Sequence, residues 1–197
     1  MPILAACILN GKENILKNVP KIEDTRITIE ILKLLGCNVE EQDNNIIINS
    51  KDMNCTETPE KLMNKMRASI VMAGAITGRF KEATVYFQGG CKIGERPIDL
   101  HSDGFKKLGI NIEEGAGFIR CTCDKIIGAE IDLKLPSVGA TENIMMASVF
   151  CKGKTVIKNA AKEPEIVDLE NMLNSCRSKY SWSRYQCCYN NRSKRIK

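Results

Sequence analysis

Histidine, aromatic residues and long apolar runs are scarce in this chain. One histidine, His101, occurs among 197 residues, and aromatic residues make up 5% of them. A single imidazole disfavours a zinc site that depends on several histidines. The first apolar run, 2–9, is too short to span a membrane and lacks the basic leader of a secretory signal. These absences predict a cytoplasmic protein without a membrane partner.

Cysteine is abundant, but it lacks the spacing of a disulfide framework. The ten cysteines include no CxxC pair, and the chain is neither small nor apparently secreted, so reduced thiols are expected. Cys7, Cys37 and Cys151 lie among aliphatic residues and are predicted to be small core residues. Cys121 and Cys123 would share one face of a strand, where the scarcity of histidine again disfavours zinc.

The net charge of +5 is distributed unevenly along the chain. Seven of the 29 Lys and Arg residues, and none of the 24 Asp and Glu residues, lie in 176–197. The first 175 residues therefore carry a small net negative charge, which does not predict nucleic-acid binding. Cations and aromatics alternate in the tail, so a nucleic-acid arm is one interpretation of it. The internal repeat favours a different interpretation of the tail.

Three segments of the chain share one pattern. Each has an apolar helix, a glycine turn with Lys or Arg, a strand, a loop with an acidic residue and a second helix. Asp24, Asp99 and Asp168 occupy equivalent positions. The first two copies continue into Leu-Gly and a strand, whereas the third does not. We therefore expect 1–175 to form one domain and 176–197 to be an aberrant basic tail, disordered or produced by a lost reading frame.

Periodicity predicts an α/β or α+β fold. Ile27, Ile31 and Leu34 show helical spacing, and the segments 46–49 and 84–87 are short and rich in β-branched or aromatic residues. Three repeated units are expected to gather their apolar helices inside and to place their sheets outside. The first copy lacks the strand that precedes the helix in the other two.

The segment 84–101 contains the strongest functional signal. A strand runs into Gly89-Gly90, and Cys91 follows between cations that favour a thiolate. Arg96 offers a planar fork for phosphate or carboxylate, and Asp99 suits a helix start. Spacing alone leaves an ordinary surface turn with an incidental cysteine equally open.

This segment resembles the active-site loop of the UDP-N-acetylglucosamine 1-carboxyvinyltransferases. Three further segments match that family in order: KMRASI at 65–70, PSVGATENIMM at 136–146 and NAAKEPEIVDL at 159–169. The resemblance runs from residue 1 to about 175, roughly the first half of such an enzyme. It implies an inside-out α/β domain, one of two in the family.

The resemblance also implies a reaction. The family transfers the enolpyruvyl group of phosphoenolpyruvate to the 3′-hydroxyl of UDP-N-acetylglucosamine in peptidoglycan synthesis. Cys91 matches the proton donor, which fosfomycin alkylates, and Arg96 matches an arginine near the phosphate. No metal or organic cofactor is implied.

Further positions match substrate-binding residues of the family. Arg67 matches an arginine of the substrate cleft, and Leu135 stands where some relatives have lysine. The stretch lining the uridine end matches Pro97, Ile98, Asp99 and Leu100, and a loop beside the nucleotide matches Leu135, Pro136, Ser137 and Val138. The family's Lys-Asn turn and its second domain, which completes the site, have no counterpart here. The chain therefore resembles a truncated N-terminal half, and we expect almost no turnover from it alone.

Three alternatives accompany this interpretation. The chain could be a non-catalytic fragment that binds nucleotide sugar weakly. It could belong to the sister transferases that act on shikimate 3-phosphate, although the Gly-Gly-Cys loop and the 136–146 segment favour the nucleotide-sugar enzymes. Nucleic-acid binding would depend on the tail alone.

Overall fold

The computed structural model describes residues 1–63, 69–87, 98–176, 180–183 and 186–190. Helices form where apolar residues recur at helical spacing, as in the second helix, whose Ile27 and Ile31 are buried. The helices are α1 Pro2–Ala6, α2 Glu23–Leu34, α3 Glu60–Met63, α4 Met72–Phe80, α5 Asp99–Lys107, α6 Val138–Ser148 and α7 Pro164–Ser175. A 3-10 turn, Ser69–Val71, precedes α4. Within these ranges no helix has the length and apolar character needed to cross a membrane.

The strands form three sheets that follow the sequence repeat. They are β1 Glu13–Leu16, β2 Asn38–Gln42, β3 Asn45–Asn49, β4 Glu82–Tyr86, β5 Asn111–Gly115, β6 Phe118–Thr122, β7 Glu130–Asp132, β8 Lys154–Lys158, β9 Tyr180–Ser183 and β10 Gln186–Asn190. The sheet orders are β1-β3-β2, β4-β6-β5 and β7-β8-β10-β9. Each contains one strand–helix–hairpin unit whose last strand lies in the middle. Pairing is antiparallel except between β7 and β8.

Helices and sheets combine around one buried core, which confirms the predicted α/β class. Helix α6 is buried from Ala140 to Ser148, including its methionine-rich stretch. The strands alternate instead, with one face buried, as in β4, where Ala83 and Val85 point inward. Cys7, Cys37 and Cys151 are buried as predicted.

Two glycines allow α4 to approach α6 closely. A Cβ added at Gly74 would lie 2.3 Å from the carbonyl oxygen of Asn143, and one at Gly78 would lie 2.8 Å from that of Met146. Such distances leave no room for a side chain. The glycines one turn apart therefore bring the two helix backbones into contact.

The described part of the tail contains strands that the sequence did not predict. Strand β10 pairs with β8 and with β9, in the positions that the hairpins β2–β3 and β5–β6 take in the other repeats. Pairing uses backbone groups, so a tail without clear side-chain periodicity can still complete a sheet. Residues 177–179, 184–185 and 191–197 lie outside the described residues. The origin of the tail stays a hypothesis.

Candidate functional site

The starts of α5 and α6 lie side by side. The imidazole of His101, in the first turn of α5, would lie 3.3 Å from a Cβ added at Gly139, in the first turn of α6. Just before α6, the ammonium of Lys134 lies 3.2 Å from the carboxylate of Asp103 on α5. The fold therefore brings together two predicted substrate segments, 98–100 and 135–138, that are separated by more than thirty residues in the chain.

Local sequence explains why α6 begins where it does. Ser137 has an extended backbone, and its Oγ accepts a hydrogen bond of 3.3 Å from the Ala140 N–H. The Thr141 hydroxyl donates to the Ser137 carbonyl at 2.8 Å, which secures the same turn. Leu135 and Pro136 precede the cap, and the Leu135 side chain is 57% exposed. An apolar side chain and a capped helix start therefore face solvent at this point.

Helix α5 begins at Asp99, in the segment where the sequence predicted a helix start. The N–H groups of His101 and Ser102 donate to the carbonyl of Ile98 at 2.9 and 3.0 Å. Asp99 is exposed in the first turn, where a negative charge is favourable, while Ile98 and Leu100 are half-buried. Two partly accessible apolar side chains therefore flank the helix start on the α5 side.

A buried amide, that of Asn143 on α6, connects three segments near these helix starts. Its Oδ1 accepts a hydrogen bond of 2.7 Å from the Gly74 N–H in α4. Its Nδ2 donates to the Ile70 carbonyl at 2.9 Å and contacts His101 Nδ1 at 2.8 Å. Sequence analysis missed this residue because it stands at the edge of the apolar run 144–147 and belongs to no recognised chemical motif. An amide between Glu142 and Ile144 was the available signal.

The orientation of this amide fixes the tautomer of His101. A backbone N–H can only donate and a carbonyl can only accept, so Asn143 Oδ1 faces Gly74 and its Nδ2 faces Ile70 and His101. His101 Nδ1 must therefore accept, which leaves the ring proton on Nε2. Burial lowers the pKa of His101 to about 4, so the ring is neutral at neutral pH. These contacts give this histidine a structural role.

Four predicted site residues lie outside the described residues: Arg67, Cys91, Arg96 and Pro97. The described chain on either side of them is informative. Residues 88–97 follow Phe87, whose N–H donates to the Gly117 carbonyl at 2.9 Å, and precede Ile98 at the start of α5. Arg67 lies shortly before Ile70, whose carbonyl binds Asn143. Both segments are therefore connected to the neighbourhood of the α5 and α6 starts.

A second group with a shifted pKa, Glu142, lies on α6 next to Asn143, but it faces another part of the fold. Burial raises the pKa of Glu142 to about 7, although the nearby amino group of Met1 opposes that shift. The amino group and the repelling carboxylate of Glu165 lie on α1 and α7, away from α5. Glu142 is therefore part of the helical interior and not of the candidate site.

Comparisons with known proteins identify relatives over most of the chain. The sequence profile of EPSP synthase (3-phosphoshikimate 1-carboxyvinyltransferase) matches residues 1–181. UDP-N-acetylglucosamine 1-carboxyvinyltransferase 2 of Caldanaerobacter subterraneus subsp. tengcongensis is 52% identical over 175 residues, which are 89% of this chain and 42% of the relative. The protein named UDP-N-acetylglucosamine 1-carboxyvinyltransferase in Finegoldia magna is 49% identical over 181 residues, 91% of this chain and 43% of the relative. The chain thus spans less than half the length of these relatives.

Solved structures share the fold at low sequence identity. The enolpyruvyl transferase NikO from Streptomyces tendae superimposes with a TM-score of 0.82 at 15% identity, covering 95% of this chain and 45% of that protein. EPSP synthase from Acinetobacter baumannii gives a TM-score of 0.72 at 14% identity, covering 98% and 46%. These similarities support the fold and carry no argument about substrate.

Proposed function

The chain belongs to the EPSP synthase (3-phosphoshikimate 1-carboxyvinyltransferase) family, and from that membership we propose that it is the catalytic-loop part of a UDP-N-acetylglucosamine 1-carboxyvinyltransferase. The reaction is transfer of the enolpyruvyl group of phosphoenolpyruvate to the 3′-hydroxyl of UDP-N-acetylglucosamine in peptidoglycan synthesis. The carrying observation is the 52% identity over 175 residues to a relative of that name. We place the reaction in the cytoplasm and assign it no metal or organic cofactor.

The proposed chemistry is centred on the loop 88–97. As the 3′-hydroxyl loses its proton and its oxygen bonds to C2 of phosphoenolpyruvate, the Cys91 thiol gives its proton to the methylene carbon and becomes a thiolate. Elimination then breaks the bond from C2 to the phosphate oxygen. The departing phosphate takes up the proton lost by the 3′-hydroxyl, and the new methyl group returns a proton to the thiolate as the double bond is restored. The guanidinium of Arg96 offsets charge on the departing phosphate. These roles depend on the motif, because both residues lie outside the described part of the chain.

The nucleotide end of the substrate is assigned to the paired helix starts. Half-buried Ile98 and Leu100 offer apolar surface to a uracil ring, and exposed Leu135 faces solvent nearby. Backbone N–H groups at the start of α6, beside Ser137, suit a diphosphate. Leu135 stands where some relatives have lysine. We therefore assign binding of the diphosphate to those N–H groups and to Arg67, which matches an arginine of the substrate cleft. The juxtaposition of 98–100 with 135–138 supports this assignment.

The other half of the site is assigned to a region that the chain does not contain. The relatives are more than twice as long as the matched segment. We propose that their remaining region supplies further phosphate and acid–base groups and closes the cleft over the substrates. For the chain alone, we propose that it binds nucleotide sugar weakly, because both helix starts are complete within it.

A chimera tests the proposed function. Residues 1–175 replace the matching segment of the Caldanaerobacter relative, and phosphate release from phosphoenolpyruvate is measured with and without UDP-N-acetylglucosamine. We expect release that depends on the nucleotide sugar, and almost none from the unfused 197-residue chain. A folded chimera that releases no phosphate would contradict the proposal. One that prefers shikimate 3-phosphate as acceptor would favour the sister reaction.

A further inference from the structure

The contacts of Asn143 suggest a role beyond packing. Its side chain is fully buried and makes three hydrogen bonds between 2.7 and 2.9 Å. The partners are 42, 69 and 73 residues away along the chain. Each partner belongs to a different segment: α5, the first turn of α4, and the 3-10 turn that follows Arg67. One amide therefore holds the relative positions of three segments around the candidate site.

We propose that Asn143 is a positioning residue for the nucleotide sugar, acting through the imidazole of His101 on the start of α5. The inference deepens the proposed function and depends on it. Asn143 does not contact the substrate in this account. It fixes the ring of His101, and the ring in turn sets the spacing between the two helix starts that flank the nucleotide.

The position of the ring supports this relay. His101 follows Leu100 directly, and its backbone N–H donates to the Ile98 carbonyl, so the residue that carries the ring is part of the first turn of α5. On its other side, the ring lies against Gly139, where an added Cβ would be 3.3 Å from Cε1 and 3.7 Å from Nε2. The imidazole thus fills the gap between the first turns of α5 and α6. Its orientation about χ2 is held by the hydrogen bond from Asn143.

A second hydrogen bond of Asn143 Nδ2 reaches Ile70, three residues after Arg67 in the sequence. The Ile70 carbonyl accepts from the same Nδ2 that contacts His101, and Gly74 anchors the opposite side of the amide. An amide with both ends engaged cannot rotate without leaving a buried donor or acceptor unpaired, which is costly. The position of the chain at Ile70 and the position of the α5 start are therefore coupled.

The single histidine makes the first step directly measurable in the full 197-residue chain. Imidazole ¹⁵N shifts report one ring only, and we expect Nε2 to carry the proton while Nδ1 remains unprotonated. In Asn143→Asp a carboxylate oxygen replaces the Nδ2 donor that faces His101 Nδ1. The ring proton should therefore move from Nε2 to Nδ1, or the ring should become charged. A wild-type ring protonated on Nδ1 would overturn the inference.

The positioning role is tested by kinetics in the chimera. His101→Leu removes the acceptor that faces Asn143, whereas the amide oxygen of His101→Asn can stand near the position of Nδ1. We expect His101→Leu to raise KM for UDP-N-acetylglucosamine about tenfold, with kcat and KM for phosphoenolpyruvate changed less than about threefold, and His101→Asn to restore most of the loss. If His101→Leu does not fold, His101→Gln takes its place, because its longer side chain carries the amide past the Nδ1 position.

A matched control separates positioning from general stability. Ser50 is also buried, and its hydroxyl donates to the Cys7 carbonyl at 2.8 Å in the first repeat, away from both helix starts. Ser50→Ala should lower Tm without changing KM for the nucleotide sugar. The inference is wrong if the acceptor-deleting variant keeps the wild-type KM, or if Ser50→Ala raises it equally. An inactive wild-type chimera would contradict the proposed function, and the inference with it.

Discussion

The second and third repeats have the same scaffold but different connections between strand and helix. In each, a strand leads to a helix and then to a hairpin whose last strand pairs with the first. The connection from β8 to α7 spans five residues, 159–163, whereas that from β4 to α5 spans twelve, 87–98. The longer one contains Cys91 and Arg96. A longer connection costs little closure entropy, so one repeat can accommodate the additional residues without a change of scaffold.

The short connection of the third repeat is held by specific hydrogen bonds. The Asn159 side chain donates to the Leu133 carbonyl at 2.9 Å, and the Ala161 N–H donates to the Thr141 hydroxyl at 3.1 Å. Helix α7 then begins at Pro164, where the fixed φ of proline suits a first turn. These contacts attach the 159–163 connection to the residue that follows β7 and to α6 of the same repeat. In the third repeat, the connection between strand and helix is therefore held against the repeat's own first helix.

The largest expected difference between the two repeats concerns their cysteines. In the chimera, Cys91→Ser should lower turnover by roughly 10²–10⁴-fold, because a hydroxyl is a much weaker proton donor than a thiol. Cys151→Ala in the third repeat, where the thiol is buried, should leave kcat unchanged and lower only stability. Phosphate release and thermal unfolding measure the two effects. Equal turnover in both variants would remove the functional distinction between the repeats.

Stability is expected to depend more on the third repeat than on the start of α5. Leu169 on α7 is fully buried, so Leu169→Ala should lower the free energy of unfolding by about 2–5 kcal/mol. Leu100 is half-buried, and Leu100→Ala should cost clearly less. Urea unfolding of the full chain measures both. A larger loss from Leu100→Ala would show that the α5 start is a core element and would weaken its assignment to substrate.

The second repeat is also expected to have a pH-dependent stability of its own. The folded-state pKa of His101 is lowered to about 4, below its ordinary value of about 6.5. The stabilisation that neutral His101 gives to the folded state is therefore complete above pH 6.5 and is lost as pH falls towards 4. The loss in free energy of unfolding is at most on the order of 3 kcal/mol. Glu142, with a raised pKa, acts in the opposite direction. The difference between wild type and His101→Asn, measured by urea unfolding from pH 4 to 8, isolates the histidine; a flat difference would contradict this account.

The smallest expected contrast is between the caps of α6 and α7. Ser137→Ala removes a side-chain cap and should cost about 1 kcal/mol of unfolding free energy. Glu163 occupies the same position before α7 without a side-chain cap bond, and Glu163→Ala should change stability by less than about 0.5 kcal/mol. Thermal unfolding of the two variants compares them. Equal losses would mean that the α6 cap contributes nothing specific.

Several features of the fold could be predicted from local sequence. The helical spacing of Ile27 and Ile31 and a helix start near Asp99 follow from short-range order, and the repeat follows from the recurrence of one pattern along the chain. The strands of the tail could not be predicted in this way. They form because the backbone of β10 pairs with that of β8, and such pairing does not require a periodic pattern of side chains.

The candidate site, too, could be predicted from the sequence only in part. The roles of Cys91, Arg96 and the two substrate segments are predictions from the resemblance of short motifs to a known family. Asn143 was missed, since an amide becomes informative only once its partners are known.

The sequence by itself determined the family, the α/β class and the residues with reactive groups, because those properties depend on residue type and short-range order. Only the tertiary structure decided that the starts of α5 and α6 meet, that Asn143 joins Ile70, Gly74 and His101, and that the tail completes a sheet. The reason is physical. These contacts join residues tens of positions apart, and their geometry is set by how the helices pack against one another.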